Sequence, residues 1–281
     1  MRKYTIFLCI LIMVLLVSCG KAAKTDTEKT TLAKYSNLVD SDAQNELKND
    51  LLSIGVSEKV AETFISDVND YNETIHNTTL IKSGYKPFDL SPIDYDDDTI
   101  SDLWNQKYPR FMGYNCKLTA YYLYRDFLQI TPIADESQTE MNMLFDLAPE
   151  KADGRFSEYD IQRFNTLYQT VDIKSDSTVQ ECVEKIKDVW KNSDISFGTS
   201  GNSALITVYA EEDESDILEP VHAGLLISTG DSVRFLEKLS FMRPYQYSVF
   251  GSEEDLYTYL KNMFGRDKKI FVIMKNAESL N

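Results

Sequence analysis

The chain has 281 residues, and its hydrophobic fraction of 43% and charged fraction of 26% are those of an ordinary globular protein. Its formal net charge is -16, which argues against nucleic-acid binding, because a protein that binds nucleic acid needs a basic patch. With four Cys and two His, neither a disulfide-dense scaffold nor a Cys/His zinc module is expected. We therefore predict no metal site and no cofactor.

The start of the chain has the pattern of a secretory leader. A short basic segment precedes an apolar run from Ile6 to Val17, which is too short for a membrane span of roughly 20 residues. The run ends in Leu16-Val17-Ser18-Cys19-Gly20, which resembles a bacterial lipobox. We expect removal of residues 1–18 and a lipid on Cys19 that anchors the protein to the extracytoplasmic face of the cell membrane. An ordinary signal peptide with a chance Cys is the alternative.

Residues 19–34 are rich in Lys, Thr, Asp and Ala and have no periodic apolar pattern, which is typical of a flexible tether. The rest of the chain, 35–281, contains no repeat and no linker rich in Pro or Gly. It is therefore predicted to form a single domain.

Helices are predicted in the first part of this domain and strands in the second. Apolar spacing and N-cap residues indicate helices at 41–56, 57–75, 100–106, 115–129, 157–170 and 177–191. Runs rich in β-forming residues follow at 204–210, 221–228, 232–239, 245–250 and 269–274, with one more helix at 252–264. This order predicts an α+β fold in which N-terminal helices pack on a C-terminal, mostly antiparallel sheet.

Cys116 is the first candidate for chemistry. Gly113 breaks the preceding chain and Asn115 is a favoured N-cap, so Cys116 becomes the first residue of a helix. Free N–H groups and the positive end of the helix dipole stabilise a thiolate there. The alternative is a small buried apolar residue. Cys182 lies mid-helix among Val and Ile, where core packing is expected and a disulfide to Cys116 is not.

His222 opens an apolar strand and has a predicted acidic partner. The segment 221–239 is predicted to be a hairpin around Thr229-Gly230-Asp231. If the loop is 229–230, Glu237 lies opposite His222; if it is 230–231, Glu237 is the diagonal neighbour. Both registers place the two side chains on one face of the sheet. The alternative for His222 is a core histidine with its hydrogen bonds satisfied.

These residues form the order Cys, His, Glu, which follows the logic of a thiol hydrolase triad. Cys116 would be the nucleophile, His222 the base and then the acid, and Glu237 the group that orients the imidazole. The order and placement resemble the papain-like and NlpC-like cysteine peptidases and amidases. The usual oxyanion Gln, six residues before the nucleophile, is replaced by Arg110.

The sequence therefore leaves the identity of the oxyanion donor undecided. The backbone N–H of Cys116 and the side chain of Asn115 or Gln246 are the candidates.

Segments spread over most of the domain also resemble an uncharacterised bacterial lipoprotein family, domain of unknown function 4300. The segments that carry the resemblance are 35–38, Gly113 with 115–120, 222–226, 237–239 and 244–246. The resemblance implies a shared fold and leaves the mechanism open.

Two functions are compatible with the sequence. The first is a membrane-anchored, papain-like hydrolase of an amide or peptide bond, for which cell-wall peptide is a plausible substrate because of its location. The second is a surface lipoprotein of the same fold that binds a partner without catalysis, in which Cys116 and His222 are packing residues. Neither function involves nucleic acid.

Overall fold

The computed structural model describes most of the chain after the predicted tether. The described residues are 33–132, 139–198, 202–211, 215–230 and 232–281. The predicted leader, the lipidation site Cys19 and the tether up to residue 32 lie outside them. No helix among the described residues is both long enough and apolar enough to cross a membrane.

Nine α-helices lie among the described residues, and several begin at a side chain that caps the first turn. The oxygens of Asp40, Ser57, Asn115 and Ser252 accept hydrogen bonds from N–H groups two or three residues further on. The helices are α1 (Ser41–Ser53), α2 (Glu58–Thr74), α3 (Asp97–Lys107), α4 (Cys116–Tyr124), α5 (Glu140–Leu147), α6 (Pro149–Ala152), α7 (Glu158–Leu167), α8 (Val179–Asn192) and α9 (Glu253–Phe264).

The strands form one large sheet and a separate two-stranded pair. The strands are β1 (Lys34–Ser36), β2 (Lys86–Pro87), β3 (Leu128–Gln129), β4 (Val171–Asp172), β5 (Ser196–Phe197), β6 (Ser203–Glu211), β7 (Ile217–Thr229), β8 (Ser232–Lys238), β9 (Tyr245–Phe250), β10 (Phe271–Lys275) and β11 (Glu278–Ser279). The large sheet has the order β11-β10-β6-β7-β8-β9-β1-β2, with β4 paired to β7, and its neighbours are antiparallel.

The predicted α+β class is confirmed by this arrangement. Four short strands depart from the predicted order, since β2, β3 and β4 lie among the helices. β1 precedes all the helices and pairs with β9. It includes Lys34, which the sequence analysis had placed at the end of the tether.

Alternate residues of the central strands pack against different layers of helix. On β7, Ala223 and Leu225 join the large apolar cluster that contains α1, α2 and the body of α4. Leu226 on β7 and Phe235 on β8 join a second cluster with Leu256 and Leu260 of α9. The sheet is therefore covered on both faces, which explains why its central strands are almost continuously buried.

The predicted hairpin is present, and its register can be assigned. Thr229 pairs with Ser232, and Gly224 pairs with Glu237. This is the second of the two predicted registers, in which Glu237 is the diagonal neighbour of His222. The register between β6 and β7 shifts between Val208 and Tyr209, so the strand is irregular close to His222.

Candidate active site at the start of α4

The loop before α4 fixes the position of Cys116. Asn115 Oδ1 accepts a hydrogen bond from the Leu118 N–H at 2.9 Å and caps the helix. Gly113 has φ of +104°, and a Cβ atom there would lie 2.4 Å from the Phe241 carbonyl oxygen. Only glycine can therefore occupy this position without moving the loop. Cys116 is the first residue of α4, as predicted from the sequence.

The imidazole of His222 is held between a carboxylate and an aromatic ring. Its Nε2 donates to Glu237 Oε2 at 2.8 Å. Its ring stacks on Phe264 of α9 with the centroids 4.3 Å apart and the planes 19° from parallel. The side chains of His222 and Glu237 are both completely buried. This packing fixes the orientation of the ring, which is what a catalytic base requires.

Glu237 is supported by a second shell of polar groups. The Tyr259 hydroxyl donates to Glu237 Oε1 at 2.9 Å, and Gln246 Nε2 approaches the same oxygen at 3.4 Å. Gln246 Nε2 also lies 3.0 Å from both Ser248 Oγ and the Tyr259 hydroxyl oxygen. Both carboxylate oxygens therefore have donors, so the buried charge is compensated.

Cys116 approaches His222 and Glu237 at the point where β8 separates from β7. The β7–β8 pairing ends at Gly224 and Glu237, and β8 itself ends one residue later. The part of β7 that contains His222 is paired with β6 on one side, and on the other side β4 pairs only with Ile217 and Leu218 at the start of the strand. The start of α4 occupies this position, because the Ala223 N–H hydrogen-bonds to the Cys116 thiol and helps to lower its pKa.

The thiol and the imidazole change each other's protonation. Burial alone would raise the pKa of Cys116, but the positive charge of the His222 imidazolium, with smaller contributions from Lys117 and the Ala223 N–H, lowers it. Burial alone would lower the pKa of His222, but the Cys116 thiolate and then Glu237 raise it to about 9. The favoured state is a thiolate beside an imidazolium.

The alignment of this pair is loose. His222 Nδ1, the ring nitrogen that does not contact Glu237, has no hydrogen-bond partner of standard geometry within the described ranges. The attraction between sulfur and ring is therefore mainly electrostatic. Catalytic hydrogen bonds are often poorly aligned in the absence of substrate and tighten when it binds.

The two predicted oxyanion donors have different surroundings. Asn115 uses Oδ1 to cap α4, which leaves its Nδ2 as the end free to donate beside the nucleophile. The amide of Gln246 is bonded to Glu237, Ser248 and Tyr259, on the far side of Glu237 from the imidazole. The contacts of Gln246 support a role in holding the carboxylate.

Two buried groups near Cys116 were missed by the sequence analysis. The hydroxyl of Tyr168 has no hydrogen-bond partner among the described residues, and the charge of Cys116 adds to burial in raising its pKa. The ammonium of Lys238 contacts the carbonyls of Phe241 and Arg243 and lies 3.8 Å from the ring centre of Tyr71, while burial lowers its pKa. Sequence reasoning could have found Lys238, because it directly follows the predicted catalytic Glu237. The sequence around Tyr168 offers no comparable signal.

The second cysteine has a different environment. Cys182 is fully buried on α8 with Val183, Ile186 and Trp190, and burial raises its pKa. Both Cys116 and Cys182 are free thiols. No group of three or more His, Cys, Asp or Glu that could hold a metal ion occurs among the residues that the structure describes.

These features define an α+β protein with a thiol, an imidazole and a carboxylate joined at the end of a strand pairing. A family model described as Domain of unknown function (DUF4300) matches residues 34–280. The chain therefore belongs to this family, as the resemblance noted from the sequence predicted. No curated protein and no solved structure matches the chain.

Proposed function

We propose that the protein is a cysteine hydrolase of an amide or peptide bond, with Cys116 as nucleophile, His222 as base and acid, and Glu237 as the orienting carboxylate. The observation that carries the proposal is the mutual pKa shift of a helix-capped thiol and a buried imidazole bonded to a carboxylate. Perturbed and mutually coupled titratable groups of this kind are typical of catalytic sites.

The reaction follows from the charges of the pair. The Cys116 thiolate attacks the carbonyl carbon, and a carbon–sulfur bond forms while the carbonyl oxygen becomes an oxyanion. The His222 imidazolium gives its proton to the amine nitrogen, which leaves as the carbon–nitrogen bond breaks. Water then attacks the thioester, His222 accepts one proton of this water, and the acid product and the resting pair are released.

The oxyanion requires donors close to the sulfur. The backbone N–H of Cys116 is free at the first turn of α4, as in every helix, and Asn115 Nδ2 belongs to the residue before it. Together they supply two donors at one side of the nucleophile. This pair would replace the Gln of papain-like enzymes, in whose sequence position this chain has Arg110.

The lipobox pattern at 16–20 supports a location outside the cytoplasm. With a lipid on Cys19, the domain would be held at the extracytoplasmic face of the cell membrane by a tether of about 15 residues. Peptides of the cell wall are the substrates of suitable chemistry that such an anchor would bring within reach.

The burial of the site favours a second candidate, a binding lipoprotein without catalysis. Cys116 is 6% exposed, His222 0% and Glu237 1%. A hydrolase with this site must open a path to the sulfur when substrate binds, whereas a binding protein need not.

The first experiment separates these candidates by the pH dependence of Cys116 alkylation. The full-length protein is treated with iodoacetamide between pH 6 and 8, and the peptide that contains Cys116 is quantified by mass spectrometry. An ordinary thiol of pKa about 8.5 loses about seventyfold in rate over this range, because its thiolate disappears. An activated Cys116 loses less than about tenfold.

The shape of this profile reports the pKa, whereas limited access lowers all rates together. A seventyfold loss would therefore overturn the hydrolase proposal and favour the binding protein. Glu237→Gln is the matched variant, because it keeps the shape of the side chain and removes its charge; the profile should move toward that of an ordinary thiol.

The second experiment tests hydrolysis itself. Wild type and Cys116→Ala are incubated with peptidoglycan fragments, and the products are identified by mass spectrometry. Cleavage by wild type alone supports the proposal, and equal spectra from the two proteins contradict it for this substrate class.

A further inference from the structure

An apolar surface groove lies beside the start of α4. Its floor and one wall are formed by the segment just before the nucleophile, including Phe111 and Gly113, together with Leu118 of α4 and Phe241. The other wall is α5, through Met143 and Leu147. Gly113 lies three residues before Cys116 and Leu118 two residues after it, so the groove lies at the same end of α4 as the candidate nucleophile, although the Cys116 side chain does not itself line it.

The groove concentrates the exposed apolar surface of the domain. Six large apolar side chains are exposed among the described residues, and three of them line this groove: Met112 at 36%, Met143 at 36% and Leu147 at 44%. Contiguous exposed apolar surface marks a binding site more often than scattered single residues do. Two of the three are Met, whose flexible side chains adapt to a ligand.

The groove also contains one charge that has no ion-pair partner among the described residues. Glu140 at its edge is paired with Lys117 at 2.6 Å. Arg110 lines the same groove, is exposed, and forms no ion pair with any residue that the structure describes. In a chain of net charge -16, an exposed guanidinium beside an apolar groove, without an ion pair to the described part of the chain, is suited to a carboxylate, with which it can form two parallel hydrogen bonds.

We propose that this groove is a substrate-specificity site that receives an apolar side chain next to the scissile bond and pairs a nearby substrate carboxylate with Arg110. This inference rests on the proposed hydrolase activity and deepens it. The substrate class is then an acidic peptide or N-acyl amino acid with an apolar residue at this position, rather than a basic or strongly polar peptide.

The test uses alkylating reagents of graded structure, so that no natural substrate is required. N-iodoacetyl-leucine carries both features, its methyl ester lacks the charge, N-iodoacetyl-glycine lacks the side chain, and iodoacetamide lacks both. In each case the Cys116 sulfur forms a bond to the reagent methylene carbon, iodide leaves, and any thiol proton passes to His222. Rates at Cys116 in the full-length protein are divided by the rate with iodoacetamide.

We expect N-iodoacetyl-leucine to show saturation and the highest ratio. Leu147→Asp should lower this ratio about tenfold by placing a charge in the apolar groove. Leu52→Asp is the matched control, because Leu52 is similarly exposed, at 37%, on α1, and it should leave the ratio unchanged. Equal effects of the two variants would overturn the proposal.

Arg110→Gln tests the carboxylate. It should lower the ratio for N-iodoacetyl-leucine about threefold to tenfold and leave the ratio for its methyl ester unchanged. Arg266→Gln, at another exposed arginine, is the control and should change neither ratio. If Arg110→Gln lowers the rate ratios of N-iodoacetyl-leucine and its methyl ester equally, Arg110 does not recognise the carboxylate.

The two proposals fail in different ways. An ordinary pH profile of Cys116 alkylation with a preserved preference for N-iodoacetyl-leucine would remove the hydrolase and retain a binding groove. A flat pH profile without any preference among the four reagents would retain the activated thiol and remove the groove.

Discussion

Cys116 and Cys182 are both buried free thiols on helices, yet the two regions around them give these thiols opposite properties. Cys182 is the fourth residue of α8, where its own backbone N–H already bonds to the Thr178 carbonyl and its neighbours are apolar. Cys116 lies at the first position of α4, beside an imidazolium and the Ala223 N–H, which hydrogen-bonds to its thiol. Burial opposes ionisation in both cases, and it is outweighed only at Cys116.

The comparison shows that the groups next to the sulfur, above all the His222 imidazolium, decide the chemistry of a cysteine here, because burial is common to both thiols. A helix start leaves N–H groups without partners, and the end of the β7–β8 pairing does the same for Ala223. Two interruptions of regular hydrogen bonding therefore meet at one sulfur. At Cys182, one turn into α8, the backbone N–H is taken by the Thr178 carbonyl, and the Glu181 N–H is taken by the capping side chain of Thr178.

The largest expected difference between the two cysteines is in their reaction with iodoacetamide at pH 7. Cys182 is completely buried in a helix packed on the sheet, so its alkylation requires unfolding of that region. We expect it to react at least about a thousandfold more slowly than Cys116, because native domains open globally only rarely. Quantification of both peptides from one reaction checks this. Equal rates would show that the Cys116 region has no special reactivity.

His222→Gln should remove most of the difference in pKa between the two thiols. Glutamine can still contact Glu237, but it cannot carry the positive charge that lowers the pKa of Cys116. We expect the alkylation rate of Cys116 at pH 6 to fall by at least about tenfold, with a steeper dependence on pH. His76→Gln is the control, since His76 is exposed on the surface. An unchanged profile in His222→Gln would contradict the pairing.

The charged pair should also make stability depend on pH. The pKa of His222 is raised to about 9 in the folded protein, above its unfolded value of about 6.5. Its contribution to the free energy of unfolding is therefore full below about pH 6.5 and is lost as the pH rises through about 9. Cys116 has the opposite shift, so its contribution is full above the unfolded pKa of about 8.5 and is lost as the pH falls through its folded pKa.

Urea denaturation of wild type and Cys116→Ala from pH 7 to 10 checks this. Removal of the thiolate removes the first cause that raises the pKa of His222. We expect the stability of wild type relative to the variant to fall between pH 8 and 10, by at most about 1.4 kcal/mol per pH unit. The free energy of unfolding of Cys182→Ala should depend on pH in the same way as that of wild type. If the stability of Cys116→Ala also followed the pH dependence of wild type, the coupling between the Cys116 thiolate and the His222 imidazolium would be refuted.

The main features of the site could be predicted from the sequence because each depends on local rules. Gly113 and Asn115 mark the start of α4, and the turn between β7 and β8 limits the relation of His222 and Glu237 to two registers. The end of the β7–β8 pairing could not be predicted, since it depends on the packing of the loop around Phe241 against Gly113.

The rest of the fold was missed where elements are short or depend on distant partners. β1 has only three residues and is a strand because it pairs with β9, more than 200 residues later. Helices α5 and α6 were not predicted, since each is short and Pro149 separates them by starting the second. The same helix α5 forms a wall of the apolar groove, so this groove was also invisible to sequence reasoning.

Two tyrosine hydroxyls give the smallest and most specific test of the site. Tyr259 donates to Glu237 at 2.9 Å, whereas the buried hydroxyl of Tyr168 near Cys116 has no partner in the part of the chain that the structure describes. Tyr259→Phe should lower the free energy of unfolding by about 1–2 kcal/mol, because a carboxylate oxygen loses its best donor. Tyr168→Phe should leave stability unchanged or raise it by up to about 1 kcal/mol, because a desolvated hydroxyl is removed.

Urea denaturation of both variants at pH 7 measures these effects, and the two substitutions remove the same oxygen atom from fully enclosed rings. Any destabilisation of Tyr168→Phe similar to that of Tyr259→Phe would mean that the Tyr168 hydroxyl has a partner in solution. The Cys116 alkylation profile of Tyr259→Phe adds a second readout, since Tyr259 acts on the thiol only through Glu237 and His222. A profile that moves with the stability loss would place Tyr259 among the groups that position the imidazole.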